Sequence, residues 1–246
     1  MKLEKLLIAA LLCFTIIPKV KSQSNIPLNK SHSLFDKITG IDNTDLFNGV
    51  IYNETFRNTE QSHVFFNSPK FSPETITYNS QTYYNVMLKY DIYNDILLTK
   101  LNEEKSYLNV QLISDKVGSF TIDTHKFINT TISNQLKTLE IFGFMEEAYE
   151  GEDLKFYIKH RKKPKRSLEK RMVDANFIKD NIYILLYNNS FYRIKSIKDV
   201  KRIILNKSED IKSIQRQYKY LQKNDTDNFM TLFFNQLDNR LISSKH

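Results

Sequence analysis

The sequence predicts an α+β protein, in which an N-terminal antiparallel β-sheet domain is followed by a β-hairpin and about three C-terminal α-helices. The sheet is predicted by short aromatic and β-branched runs that alternate with turn residues from Asp45 onward, with apolar side chains at every second position. The helices are predicted because the apolar spacing changes to three or four residues after Ser196. Aromatic residues form 13% of the chain, which is enough to build a core without disulfides.

The first 22 residues have the pattern of a secretory signal peptide. Lys2 and Lys5 precede the apolar stretch 6–17, and Ser22 stands before the expected cleavage site. A helix over that stretch is about 18 Å long, against a hydrocarbon core of about 30 Å. We therefore expect an exported protein that is periplasmic, extracellular or outer-membrane-associated, with no transmembrane helix in the mature chain.

Cleavage after Ser22 changes the chemistry open to the protein. It removes Cys13, the only cysteine, and with it disulfides, thiolate catalysis and cysteine-ligated zinc. It also removes four lysines and one glutamate, which lowers the formal net charge from +8 to +5. The five glycines are too dispersed for a Rossmann fingerprint or a P-loop, so we expect no cofactor.

The mature chain is predicted to begin with a polar, flexible leader over residues 23–44, followed by the β domain over residues 45–163. Asn48-Gly49 lies between apolar runs and predicts a tight hairpin turn. A second hairpin is predicted around residues 79–81. In its second strand, period two predicts that four residues share one face: Tyr84, Val86, Leu88 and Tyr90.

Three further strands are predicted over residues 96–101, 108–113 and 120–127. A hairpin follows, with strands 142–149 and 154–162 around the turn 150–153. We expect Glu146 and Glu147 to pair with lysines of the facing strand.

A basic linker is predicted over residues 164–175, and a second β-hairpin plus a helical part over residues 176–246. The hairpin is predicted around Asn188-Asn189-Ser190. Helices are predicted to begin at Ser196, which can cap the first, at Ser208, which two acidic residues follow, and at Asp225 or Asp227. Each start precedes an apolar-striped segment.

Several segments together resemble a group of secreted proteins of Bacteroidetes that has no established activity. The segments that carry the resemblance are residues 46–52 (LFNGVIY), 83–93 (YYNVMLKYDIY), the hairpin that starts at Gly143-Phe144, and 191–199 (FYRIKSIKD). The resemblance implies a Gram-negative envelope setting. It implies no catalytic residue.

The densest charge cluster is the basic run 159–166, with six fixed positive charges. Two interpretations remain open: a solvated strand end that enters an exposed linker, or a contact to an anionic surface such as lipid phosphate. Nucleic acid is not expected as a partner of an exported protein. The residues of the candidate anionic-surface contact are Lys159, Arg161, Lys162, Lys163, Lys165 and Arg166.

No catalytic or metal site can be assigned from spacing. The five histidines are far apart in the chain, with no H-x-H or H-x-x-x-H pair, and carboxylate pairs such as Asp91 and Asp95 are typical of solvated turns. We therefore expect a non-enzymatic envelope protein, a binding or structural module whose partner is another envelope protein or an anionic envelope surface. The alternative is a carboxylate-dependent hydrolase that acts on envelope glycans or peptides. A cleft with mutually oriented acid and base groups of shifted pKa would favour an enzyme.

Overall fold

The structure is a computed structural model that describes residues 46, 48–100, 108–130, 133–165 and 176–243. The predicted signal peptide, the predicted leader and residues 166–175 of the predicted linker lie outside the described residues. The described part contains 13 strands, which are β1 Val50–Ile51, β2 Ser72–Tyr78, β3 Gln81–Asp91, β4 Ile96–Lys100, β5 Asn109–Gln111, β6 Val117–Ile122, β7 His125–Asn129, β8 Phe144–Glu150, β9 Leu154–Lys159, β10 Lys162–Pro164, β11 Phe177–Lys179, β12 Ile182–Tyr187 and β13 Ser190–Ile194.

Eleven of these strands form one antiparallel sheet, in the order β1-β5-β4-β3-β2-β6-β7-β8-β9-β12-β13. The remaining two, β10 and β11, pair with each other. Because β12 pairs with β9, the main sheet continues from one side of residues 166–175 to the other. The protein is therefore α+β, with a sheet-rich N-terminal part, as predicted.

Five α-helices lie in the described residues: α1 Asn134–Thr138, α2 Ile197–Ile203, α3 Ser208–Gln217, α4 Lys219–Asn224 and α5 Thr226–Ile242. The start of α2 is confirmed, since Ser196 and Asp199 form a capping box, and α5 begins after Asp225, whose side chain accepts from the amide of Asn228. The predicted second helix is divided at Tyr218 into α3 and α4. Helix α5 packs across β8 and β9.

Two of the predicted hairpins turn on pairs of residues with left-handed backbone. Asn79 and Ser80 have φ of 49° and 66° and join β2 to β3, and Asn188 and Asn189 have φ of 48° and 57° and join β12 to β13. Two consecutive residues of positive φ are the requirement of a type I′ turn, and asparagine tolerates this conformation better than most residues.

The hairpin predicted at Asn48-Gly49 is wrong. Gly49 does not have positive φ, and β1, which follows it, pairs with β5. Gly49 serves close packing: a Cβ there would lie 2.1 Å from the carbonyl oxygen of Gln111. Glycine is needed because two backbones meet.

The predicted face of β3 is wrong at its first position. Tyr83 is buried, whereas Tyr84 is only half-buried, because the register with β2 shifts between Glu74 and Ile76. Asn85, with φ of 58°, lies in this β-bulge, and the extra residue reverses the alternation of faces. The predicted strand 120–127 is likewise two strands, β6 and β7, with Asp123 at positive φ between them.

Two apolar clusters meet in the middle of one face of the sheet. The first is aromatic and centres on Tyr90, Phe120, Phe127 and Phe144, whose rings pack edge to face or stacked. The second lies between β9, β12, β13 and the C-terminal helices, with Phe156, Ile158, Phe229, Phe233 and Phe234 among its buried side chains. Within the described residues, no helix has both the length and the apolar character to cross a membrane.

Candidate functional site

A row of polar side chains crosses the sheet where the two apolar clusters meet. Glu146 of β8 stands opposite Phe127 of β7 and Ile158 of β9. His125 is two residues before Phe127, and His160 is two residues after Ile158. Since side chains alternate in a strand, both histidines lie on the face of Glu146, as its diagonal neighbours on either side.

Glu146 holds both imidazole rings. Its Oε1 lies 2.5 Å from Nδ1 of His125, and its Oε2 lies 2.5 Å from Nε2 of His160. The carboxylate is buried, as is His160, whereas the side chain of His125 is 36% exposed. Phe66 packs its ring edge to face against both imidazoles and covers the row.

The hydrogen bonds around Asn181, which precedes β12, determine the tautomer of His160. The amide oxygen of Asn181 accepts from the backbone N–H of Arg161 at 3.0 Å, so its Nδ2 must be the atom facing Asp227 at 2.9 Å and Nδ1 of His160 at 3.3 Å. Nδ2 can only donate, and so Nδ1 of His160 accepts. His160 therefore carries its proton on Nε2 and donates it to Glu146.

Helix α5 contributes Asp227 from its first turn. One oxygen of this carboxylate accepts from the hydroxyl of Tyr183 at 2.8 Å, and the other accepts from Nζ of Lys179 at 3.0 Å. Asn181 donates to both oxygens. The carboxylate of Asp227 is thus occupied by donors from β11, β12 and the segment between them.

Hydrogen bonds and nearby charges stabilise the ionised forms of Glu146, His125 and Asp227 against the unfavourable effect of burial. Burial disfavours the ionised carboxylate of Glu146, but the hydrogen bonds from His125 and His160 outweigh it and lower the pKa of Glu146 to about 2. The hydrogen bond to Glu146 raises the pKa of His125, against an opposing effect of burial, and the charges of Asp123 and Asp227 raise it further. For Asp227, burial is likewise outweighed by Asn181, Tyr183 and Lys179, so the pKa of Asp227 is lowered.

A cavity of about 500 Å³ opens above this row. Its sheet side is formed by His125, Glu146, Ala148, Ile158 and His160. Its helix side is formed by Asp225, Asp227, Asn228 and Thr231 of the α5 N-terminal region, and Phe66, Asn67, Thr124 and Lys179 complete the lining. The volume is in the range of small-molecule sites in proteins.

The group best placed to act on a molecule in the cavity is His125. Its Nδ1 is bound to the buried Glu146, so the ring edge that carries Nε2 is the part left for the cavity. A carboxylate on one ring nitrogen fixes the ring and favours the imidazolium, as in carboxylate–histidine pairs that transfer protons. Nε2 can therefore donate a hydrogen bond when protonated and accept one when neutral. Within the described residues, no group of three or more His, Cys, Asp or Glu side chains is arranged to hold a metal ion.

The basic run divides into buried and exposed members. Lys159 is buried, with Nζ 2.7 Å from Asp95 and 2.9 Å from the carbonyl of Phe144. Nζ of Lys162 donates to the carbonyls of His63 and Phe65 at 2.7 and 2.8 Å, and burial lowers the pKa of Lys162 to about 8.

The other members of the run lie at the surface. Arg161 and Lys163 are exposed, and both face Asp180, with Lys163 closer at 2.6 Å. Lys165 is also exposed, and Arg166 lies outside the described residues. The contact of this run to an anionic surface stays a prediction, carried by Arg161, Lys163 and Lys165 among the described members.

The expected pairing of Glu146 and Glu147 with lysines of β9 is wrong. Glu147 pairs with Lys126 of β7 at 2.7 Å, and Glu146 binds the two histidines. Lys155 of β9 instead pairs with Glu150. Charge type and sequence spacing did not determine the partner, because each side chain of a central strand has neighbours on two sides.

The sequence predicted no site role for His125, Glu146 or His160. His125 and His160 are 35 positions apart in the chain, and they reach the same carboxylate only because β7, β8 and β9 lie side by side in the sheet. The strand register could have identified them, because each histidine is two positions from the residue of its own strand that pairs with Glu146. Comparisons of the chain with protein-family models, with curated proteins and with solved structures found no match.

Proposed function

We propose that the protein is an exported binding protein of the bacterial envelope, which holds a small polar ligand in the cavity and contacts it through His125. The proposal rests on one observation. A half-exposed imidazole, fixed by a buried carboxylate, borders a cavity of about 500 Å³ between the sheet and α5. Export is supported by the signal-peptide pattern of residues 1–22, and the envelope setting by the resemblance to secreted proteins of Bacteroidetes.

Ligand binding can be tested by NMR with a panel of small polar compounds: glucose, acetate, inorganic phosphate and ethylammonium. We expect at least one compound to shift the side-chain resonances of His125 and the backbone amides of Thr124 and Asn228. His125→Gln should abolish the shifts, whereas His63→Gln, outside the cavity, should leave them unchanged. A panel in which no compound perturbs these resonances would contradict the proposal.

The export step has its own test. Edman sequencing of the protein from a fractionated native cell should give an N-terminus at Gln23 and place the protein in the envelope fraction. A cytoplasmic protein that keeps residues 1–22 would exclude the export proposal and leave the cavity unaffected.

An enzyme is the second candidate, because the imidazolium of His125 and the carboxylate of Glu146 are a mutually oriented acid and base at a cavity. The geometry favours a histidine over a carboxylate as the group that transfers protons. Both oxygens of Glu146 accept from imidazoles, and both oxygens of Asp227 accept from other donors. Turnover of peptidoglycan or polysaccharide that His125→Gln abolishes would establish this candidate in place of the binding proposal.

A further inference from the structure

The carboxylates that line the cavity have their hydrogen-bonding capacity directed into the protein. Glu146 accepts from both histidines, and Asp227 accepts from Asn181, Tyr183 and Lys179. Asp225 caps α5 by accepting from the amide of Asn228. A ligand that brings only donors, such as an ammonium group, would compete with these bonds.

The cations that line the cavity, in contrast, keep donors available. His125 uses Nδ1 for Glu146, so the proton on Nε2 of the imidazolium has no partner among the described residues. The ammonium of Lys179 donates to Asp227 and is 72% exposed, so the rest of its three protons face solvent or the cavity rim. Charged donors of this kind make the stronger class of hydrogen bond with anionic oxygens.

This inference rests on the proposed binding function. We infer that the ligand carries an oxyanion group, either a carboxylate or a phosphate, and that this group is held in the cavity between Nε2–H of His125 and the ammonium of Lys179. The negative charges of Glu146 and Asp227 do not prevent this. Each is matched by a cation in direct contact, His125 for Glu146 and Lys179 for Asp227.

Binding of this kind requires the protonated ring of His125, and so it depends on pH. The charged groups that face His125 are Glu146 from β8, Asp123 from the turn before β7 and Asp227 from α5, and all three favour the imidazolium. His160 lies on the other side of Glu146 and donates to it as well. Oxyanion binding is therefore strong below the pKa of His125 and is lost as the pH rises through it.

The test is calorimetric titration of the full mature chain with acetate and, separately, with inorganic phosphate. Acetate stays ionised from pH 6 to 9, so its affinity should fall about tenfold for each pH unit above the pKa of His125. The two anions distinguish a carboxylate ligand from a phosphate ligand. Ethylammonium and glucose serve as cationic and neutral probes.

Two variants separate the inference from a general loss of structure. Lys179→Gln changes an exposed side chain and should weaken anion binding by about tenfold or more without altering the circular dichroism spectrum, as expected for loss of a charged hydrogen bond. His125→Gln should also remove the pH dependence. Lys198→Gln, an exposed lysine on α2, is the matched control and should change nothing.

The outcomes distinguish the inference from the proposed function. If ethylammonium or glucose binds at the cavity and neither anion does, the oxyanion inference is wrong and the binding function stands. Anion binding that is independent of pH, or unchanged in Lys179→Gln and His125→Gln, also overturns the inference. If no probe binds, both the oxyanion inference and the proposed binding function are wrong.

Discussion

Helix α5 presents two carboxylates to the sheet, and they differ in the hydrogen-bond donors that bind them. Asp227 and Asp238 are 11 residues apart, which returns a helix to nearly the same face after three turns. Asp227 accepts from side chains of other elements at the border of a cavity. Asp238 is buried and accepts from the backbone amides of Glu152, Asp153 and Leu154 and from the hydroxyl of Tyr149.

The difference separates a structural carboxylate from one that supports a site. Asp238 fixes the turn between β8 and β9, because four donors from β8, the turn and the start of β9 bind its carboxylate. Gly151 packs so closely against this carboxylate that a Cβ on the glycine would lie 2.0 Å from Oδ2 of Asp238. Around Asp227 the network includes exposed Lys179 and continues through Asn181 to His160. A carboxylate whose acceptor positions are filled mostly by backbone N–H groups stabilises the fold. A network that ends in side chains with unused N–H donors can also bind a ligand.

The largest expected effect is on stability at Asp238. Asp238→Asn turns an N–H group toward buried amide donors, and we expect the free energy of unfolding to fall by about 3 kcal/mol. The matched change Asp227→Asn keeps an acceptor oxygen at a partly exposed position and should lower it by about 1 kcal/mol. Urea denaturation of both variants measures the difference. Equal losses would contradict the distinction drawn between the two carboxylates.

The next effect is the pH dependence of stability that comes from Glu146. Its folded pKa of about 2 lies below the ordinary value of 4.5, so its contribution is present above pH 4.5 and is lost as the pH falls toward 2. At about 1.4 kcal/mol per pKa unit, the contribution is about 3 kcal/mol. Glu146→Gln should lose less stability than the wild type between pH 5 and 2. Glu147→Gln, on the opposite face of β8, is the control and should keep the wild-type slope.

A smaller effect concerns the tautomers of the two histidines. Long-range ¹H–¹⁵N correlation spectra at alkaline pH should show His160 protonated on Nε2 and His125 protonated on Nδ1, since each donates to Glu146. Asn181→Leu removes the donor to Nδ1 of His160, the donor to Asp227 and the acceptor for the amide of Arg161, so it should lower the free energy of unfolding by about 2 kcal/mol. A wild-type spectrum with His160 protonated on Nδ1 alone would exclude the network as described.

The smallest effect on stability is expected in the basic run. Replacing Arg161, Lys163 and Lys165 by glutamine should change the free energy of unfolding by less than about 0.5 kcal/mol, since these side chains are exposed. If the run contacts an anionic surface, the same variant should no longer sediment with vesicles containing phosphatidylglycerol. Lys162→Gln is the comparison: it removes two partly buried hydrogen bonds and should destabilise the fold more than the triple variant. Unchanged sedimentation of the triple variant would leave the linker interpretation.

What sequence predicts here is local. The turns at Asn79-Ser80 and Asn188-Asn189, the cap at Ser196 and the start of α5 at Asp225 each depend on residues within one turn of one another. The α+β class follows from the same patterns. What sequence missed depends on register: the bulge at Asn85 reverses the face of Tyr83 and Tyr84 through its pairing with β2.

The candidate site was missed for the same physical reason. Nothing near His125 in the chain indicates His160, and Glu146 looked like a partner for lysines until its two neighbouring strands were known. The cavity also needs α5, which begins 80 residues after Glu146. Strand order and helix placement are long-range properties, and a single sequence does not specify them by periodicity.

The hydrogen bonds of Asp238 also bear on the order of folding. They join residues 84–89 positions apart, whereas the β8–β9 hairpin that they hold closes on itself over a few residues. Closing so long a loop costs chain entropy before any of these bonds can form, so the hairpin can fold first and α5 can dock late. Contacts made after the transition state chiefly slow unfolding. Asp238 is therefore expected to set how long the native protein persists more than how fast it forms.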